Sequence, residues 1–197
     1  MRHNAKGRRF PPEPLIDAEV RRLMAACSRR GPTGTRNRAL IVLLYRTGLR
    51  IAEALALSLK DVDPGAGAVR VLRGKGGKAR VVGIDPGAWP EIEGWIDARR
   101  DLDIDDVAPL FCTLRGRPMD CSYVRKTLRR LAGRAGISKR VHPHGLRHTL
   151  AAQLAAEGMP INMIQAQLGH SNAATTSRYI QHIAPQQLIV AMSQRRW

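Results

Sequence analysis

Apolar residues recur at helical spacing over most of this chain. Val20, Leu23, Met24 and Cys27 fall on one face of a helix for which Asp17 is the predicted N-cap. Gly31-Pro32-Thr33-Gly34 interrupts the pattern. A second helix follows, with Leu40, Leu43 and Leu44 on its buried face and Gly48 as a left-handed stop. A short third helix runs from Ile51 to about Ala56. The alternation then changes. Beyond an Asp63-Pro64-Gly65 turn, Val69, Val71 and Leu72 face Val81, Val82 and Ile84 across Gly74-Lys75-Gly76-Gly77-Lys78. Two β-branched runs joined by a glycine-rich tip predict a hairpin. Leu110-Phe111-Cys112 is the candidate for a third short strand.

Helical spacing returns at Pro86, with Trp89, Ile92 and Ile96 on one side. It recurs over 120–135, with Val124, Leu128 and Leu131 inside, and over 143–157, with Leu146, Leu150 and Leu154 inside. Gly136, Gly158 and Gly169 punctuate these helices. Pro185 opens a last apolar helix carrying Leu188, Ile189 and Met192, whose apolar face must be buried on its own domain or on a neighbour. The predicted fold class is therefore mainly α with a small antiparallel β-sheet (α+β).

A length of 197 residues with 44% hydrophobic and 25% charged side chains is that of a globular domain with a sizeable core. The charge balance changes the picture more. Lys and Arg number 33 against 16 Asp and Glu, a net charge of +17, and seven of the acids fall between Glu91 and Asp106. The rest of the chain is more basic still, which points to a polyanionic partner and favours nucleic acid over a membrane surface. The longest apolar run, Ala39 to Tyr45, is too short to span a bilayer, and the polar start resembles no secretory signal. Cys27, Cys112 and Cys121 are odd in number and widely spaced, as expected of small hydrophobes in a reducing cytoplasm. Aromatic content of 4% leaves few rings for stacking on single strands.

His144 and Arg147 lie three apart at a helix start and project from one face. An imidazole beside a guanidinium suits an anion that must also exchange a proton. His142, His144 and His148 have a spacing that could reach a metal, but no acidic ligand is nearby and Pro143 constrains the first pair, so no metal is expected. His170 follows a glycine helix stop, and Tyr179 comes nine residues later. Taken singly, these residues also read as a basic helix start, a capping histidine and a packed ring. Lys75 reads equally as a solvated turn lysine, with Lys78 and Arg80 competing for any role.

The conjunction is more specific. Thr47-Gly48-Leu49-Arg50-Ile51-Ala52-Glu53, Gly74-Lys75-Gly76-Gly77-Lys78, His144-Gly145-Leu146-Arg147-His148-Thr149, Leu168-Gly169-His170-Ser171 and Tyr179 follow one another in an order that resembles the tyrosine recombinase (phage integrase) family. The resemblance runs from about Leu15 and implies that family's catalytic-domain fold over residues 15–184. It implies a site-specific DNA recombinase in which Tyr179 attacks the scissile phosphate, becomes linked to the 3′-phosphate and releases a 5′-hydroxyl. Arg50 and Arg147 would clamp the non-bridging oxygens, Lys75 would protonate the leaving 5′-oxygen, His144 would act on the tyrosine proton and His170 would add a hydrogen bond. Glu53, three residues after Arg50, is expected to orient that guanidinium, and Lys78 and Arg80 are DNA-binding candidates.

Because a phosphotyrosine keeps the bond energy, the resemblance implies no cofactor, neither metal nor ATP. The partners it implies are double-stranded DNA and copies of the same chain, a tetramer on DNA joined through the C-terminal helix at 185–197, with no membrane. Family members carry a helical core-binding domain ahead of the catalytic part. Here a basic arm, residues 1–14, precedes it, and that domain is expected to be absent. Type IB topoisomerase-like relaxation and a non-catalytic DNA-binding regulator are the alternative uses of such a scaffold.

Overall fold

The computed structural model describes residues 13–72, 79–169 and 192–193. Nearly all of the predicted N-terminal arm, the hairpin tip with Lys75 and Lys78, the segment with His170 and Tyr179, and the C-terminal helix apart from Met192 and Ser193 lie outside the described residues. Met192 and Ser193 are helical, and Met192 is exposed.

The fold is built around α2 (Pro32–Thr47), whose run Ala39 to Tyr45 is buried on every side. A helix apolar all round must be covered all round. Helices α4 (Trp89–Asp101) and α6 (Pro143–Ala156) do much of this, and α1 (Asp17–Ala25) and the short α3 (Ile51–Leu55) add to it. Helix α5 (Cys121–Arg134) contributes Val124, Leu128 and Leu131 to the same core, as their spacing predicts. Its N-cap is Asp120, whose carboxylate accepts the Ser122 amide at 2.6 Å. Helix α7 (Ile161–Leu168) packs on α6 through a small separate cluster of Leu150, Ala151, Ala155, Ile164 and Leu168.

The sheet is antiparallel in the order β1 (Val62–Asp63), β2 (Ala68–Val71) and β3 (Arg80–Gly83). The register of the predicted hairpin places Val71 opposite Arg80 and Val69 opposite Val82. Val69, Val71 and Val82 are buried, whereas Leu72 and Val81 face solvent. Alternation along a pleated strand requires this division, because neighbouring residues point to opposite faces.

Three expectations need correction. Asp17 is the first residue of α1 and Ile16 is the cap; the Ile16 amide donates to the Glu19 carboxylate at 2.9 Å. The Asp17 carboxylate instead accepts from the Tyr45 hydroxyl at 3.2 Å and from the Gln153 amide at 2.5 Å, joining α1, α2 and α6. Residues 31–34 are not all a break: Pro32 opens α2, since proline at the first helical position loses no needed donor. The third strand is β1, while Leu110-Phe111-Cys112 makes a single bridge from Cys112 to Pro118. Side chains satisfy that segment instead. The Trp95 indole and the buried Arg99 guanidinium both donate to the Leu110 carbonyl, at 2.7 and 2.8 Å, and buried Arg36 donates to that of Cys112 at 3.1 Å. Cys27, Cys112 and Cys121 are free thiols, and no helix among the described residues is long and apolar enough to cross a membrane.

Candidate active site

The site is assembled at the joint between α2 and α3. Gly48 ends α2 with φ +66°, a conformation that costs a side-chain-bearing residue and turns the chain directly into Leu49 and Arg50. A Cβ there would lie 2.6 Å from Leu168 and 3.0 Å from Leu150, so the close approach of α6 and α7 to this corner also requires glycine. Leu49 is fully buried, which fixes the register of its neighbour Arg50 at the mouth of α3.

Arg147 reaches the same joint from the first turns of α6. It is 2% exposed, and its Nη1 donates to the Gly48 carbonyl at 2.5 Å. Arg50 is turned toward the far end of α7, where its Nη2 donates to the Gly169 carbonyl at 3.1 Å, and its side chain remains 30% exposed. His144, one turn before Arg147, stands edge-on to the His148 ring with 4.2 Å between centroids. Partial loss of hydration, then the positive charges of Arg147, His142 and Arg50, lower the His144 pKa, although its side chain still reaches solvent. Both effects favour the uncharged imidazole. The α6 N-terminus that carries it is capped by His142, whose Nδ1 accepts the Gly145 amide at 3.0 Å. This bond engages one nitrogen of the three-histidine set, and among the described residues no group of three His, Cys, Asp or Glu is placed to hold a metal ion.

Glu53 lies under Arg50. Its carboxylate accepts from the Arg50 amide at 2.9 Å and from Arg50 Nη1 at 2.7 Å. Arg80, on β3, donates to both of its oxygens, at 3.0 and 2.8 Å. Arg80, a DNA-binding candidate two residues beyond the basic tip, turns its terminal nitrogens inward onto Glu53, and its side chain is 15% exposed. Burial alone would push the Glu53 carboxyl up. The hydrogen bonds from Arg80 and from the Arg50 amide and guanidinium overcome it and hold the pKa at about 2, against an ordinary 4.5.

A depressed carboxyl contributes stability that is complete above the ordinary pKa and is lost as pH falls through the folded value. Glu53 therefore stabilises the fold above about pH 4.5 and ceases to do so near pH 2. Glu53→Gln is expected to be less stable at neutral pH and to lose less further stability on acidification than the parent chain. Urea midpoints measured at neutral pH and through the acid range check this; an unchanged acid slope in the variant would show that Glu53 is not the titrating group.

The structure thus places Arg50, Glu53, Arg80, His144 and Arg147 around one corner, formed by α2–α3, the start of α6, β3 and the end of α7. Lys75, Lys78, His170 and Tyr179 lie outside the described residues. Sequence reasoning missed Gln167. Its amide meets both the N–H and the C=O of Gly83, at 3.0 and 2.8 Å, and also donates to the Thr47 carbonyl at 3.2 Å, so it ties α7 to β3 and to the end of α2.

Known proteins share this architecture. The chain is 37% identical over 185 residues to the tyrosine recombinase XerC of Halalkalibacterium halodurans, a match covering 91% of this chain and 61% of that protein. It superposes on the crystal structure of XerA recombinase with a TM-score of 0.82 and 32% identity, covering 95% of this chain and 67% of the other. On the XerH site-specific recombinase bound to its palindromic difH substrate in a post-cleavage complex, the values are 0.78 and 28%, covering 97% and 55%. The chain therefore spans about 61% of the length of that curated relative. The sequence model of the phage integrase family matches residues 14–185, which take in the α2–α3 joint, the arginine of α6 and the end of α7, and the chain belongs to that family.

Proposed function

We propose that this chain cleaves and rejoins double-stranded DNA at specific sites through a 3′-phosphotyrosine formed on Tyr179. The observation that carries the reading is the convergence of Arg50 and Arg147 on one backbone corner beside His144. Two guanidiniums held by carbonyls of Gly169 and Gly48 offer donors to the two non-bridging oxygens of a phosphodiester, where charge grows during in-line attack. The Tyr179 oxygen bonds to phosphorus as the P–O5′ bond breaks. The phenolic proton passes to His144, and the departing 5′-oxygen takes one from Lys75. His170 adds a further hydrogen bond to the phosphate. The exchange is isoenergetic in bond type and reverses when a 5′-hydroxyl attacks, so it draws on no ATP and no metal.

A relative of this architecture captured on its substrate supports the partner: XerH is bound to its palindromic difH substrate. A net charge of +17 supplies the counterion-release affinity such a partner needs. Copies of the chain would assemble as a tetramer on DNA through the segment 185–197.

The test is incubation with a nicked suicide duplex carrying the target site, followed by denaturing electrophoresis. A covalent protein–DNA band that forms in the presence of chelator is the expected result. No band, or a band that chelator removes, would overturn the mechanism, and relaxation of supercoiled DNA without exchange of ends would redirect it toward a topoisomerase.

A further inference from the structure

Arg80 has an environment unlike that of a DNA-facing arginine. Both terminal nitrogens bind Glu53, its Nε is buried with no hydrogen-bond partner among the described residues, and the guanidinium lies close against Gly169. A Cβ on Gly169 would sit 2.6 Å from Arg80 Nε and 2.7 Å from its central carbon, so glycine is needed there for the arginine to pass beneath. Gly169 is also the residue whose carbonyl holds Arg50 Nη2. One buried carboxylate thus lies between two guanidiniums, and both guanidiniums press on the C-cap of α7, directly before His170.

Charge arithmetic gives the arrangement its use. Glu53 with Arg50 alone is a neutral pair, and a carboxylate at 2.7 Å from a phosphate clamp would weaken that clamp. Adding Arg80 makes the group of three positive by one charge. It also holds the carboxylate in the orientation that leaves Arg50 Nη2 on Gly169.

We propose that Arg80 is a positioning residue for the strand-transfer reaction, acting through Glu53 to offset the carboxylate's charge and keep Arg50 fixed toward the scissile phosphate instead of contacting DNA itself. The inference rests on the function proposed above. It separates two roles of basic residues on one strand and its tip: Lys75 beyond the strand as a proton donor, Arg80 within it as the counter-charge that frees Arg50.

The experiment compares the full chain, R80M, R80K, E53Q and the E53Q/R80M double variant in single-turnover cleavage of the suicide duplex. R80M is expected to lower the adduct-forming rate at saturating DNA by about 10–100-fold, within the range of couplings between residues in one network. Duplex affinity and its salt dependence stay as in the parent. In the E53Q background the same change costs less than about threefold, because the carboxylate it answers is gone. R80K, which keeps the charge but not the fork, falls between the parent and R80M. Two results overturn the proposal: a salt slope smaller by about one with an unchanged rate, which marks a direct phosphate contact, or a full R80M effect in the E53Q background. If R80M does not fold, R80K decides, and a rate within about twofold of the parent sinks the idea. A parent chain that forms no adduct removes the recombinase reading and this proposal with it, whereas an active parent with an unaffected R80M removes the positioning role alone.

Discussion

Tyr179→Phe is expected to abolish the covalent DNA adduct, a loss of at least about a thousandfold, while duplex binding stays within about twofold. The substitution removes one oxygen and keeps the ring, so packing and charge are unchanged and only the nucleophile is lost. A phenol with an ordinary pKa near 10 attacks poorly at neutral pH, and its ionisation must be favoured by neighbouring cations. In the proposed mechanism Arg50 and Arg147, held at the corner described above, would provide that field. The chain has three tyrosines, and the other two are otherwise engaged. Tyr45 is buried, its hydroxyl donates to Asp17, and burial raises its pKa away from phenolate. The Tyr123 hydroxyl accepts from Arg36 at 3.2 Å on the α5 side of the core. Single-turnover cleavage followed on denaturing gels decides the matter; an adduct that persists in the phenylalanine variant would place the nucleophile elsewhere.

Arg147→Lys is expected to slow adduct formation by about 10²–10⁴-fold, with only a modest change in the urea midpoint. Nη1 of Arg147 is fixed on the Gly48 carbonyl, and that anchor orients the whole of a rigid planar fork. Lysine has a single flexible ammonium. It can satisfy the carbonyl or meet a phosphate oxygen, but it cannot hold one while presenting a fixed donor to the other. The loss should therefore fall on the rate at saturating DNA and spare affinity, because the missing interaction strengthens as charge builds on the phosphate. Affinity falling in proportion to the rate would show that Arg147 binds the ground state equally well, contrary to this account. Arg147→Ala would add a stability penalty, since it leaves a buried carbonyl without its donor.

The helices were legible in the sequence because their apolar residues repeat where a core demands it. Leu40, Leu43 and Leu44 in α2 and Val124, Leu128 and Leu131 in α5 are all buried, and Gly48 stops α2 as its position suggests. Arg50, His144 and Arg147 could be paired from motif order, and the structure brings them to one corner. What could not be read was set by distant partners. Asp17 has the chemistry of a cap, but Tyr45 and Gln153, remote in sequence, draw its carboxylate away. Leu110-Phe111-Cys112 has strand composition, yet its carbonyls are met by Trp95, Arg99 and Arg36, and no local pattern distinguishes a buried arginine from a solvated one. Arg80 is the same case. Its inward turn depends on Glu53, 27 residues earlier, and on the missing side chain at Gly169.

The Gln167 carboxamide has a consequence for the protein in a crowded solution. Among the described residues β3 is an outer strand of the sheet, and an outer strand presents amides and carbonyls on which a foreign strand can add. By donating to the Gly83 carbonyl and accepting from its amide, one glutamine occupies the place a neighbouring strand would take. The same side chain that fastens α7 to the sheet therefore guards this margin against self-association through strand addition.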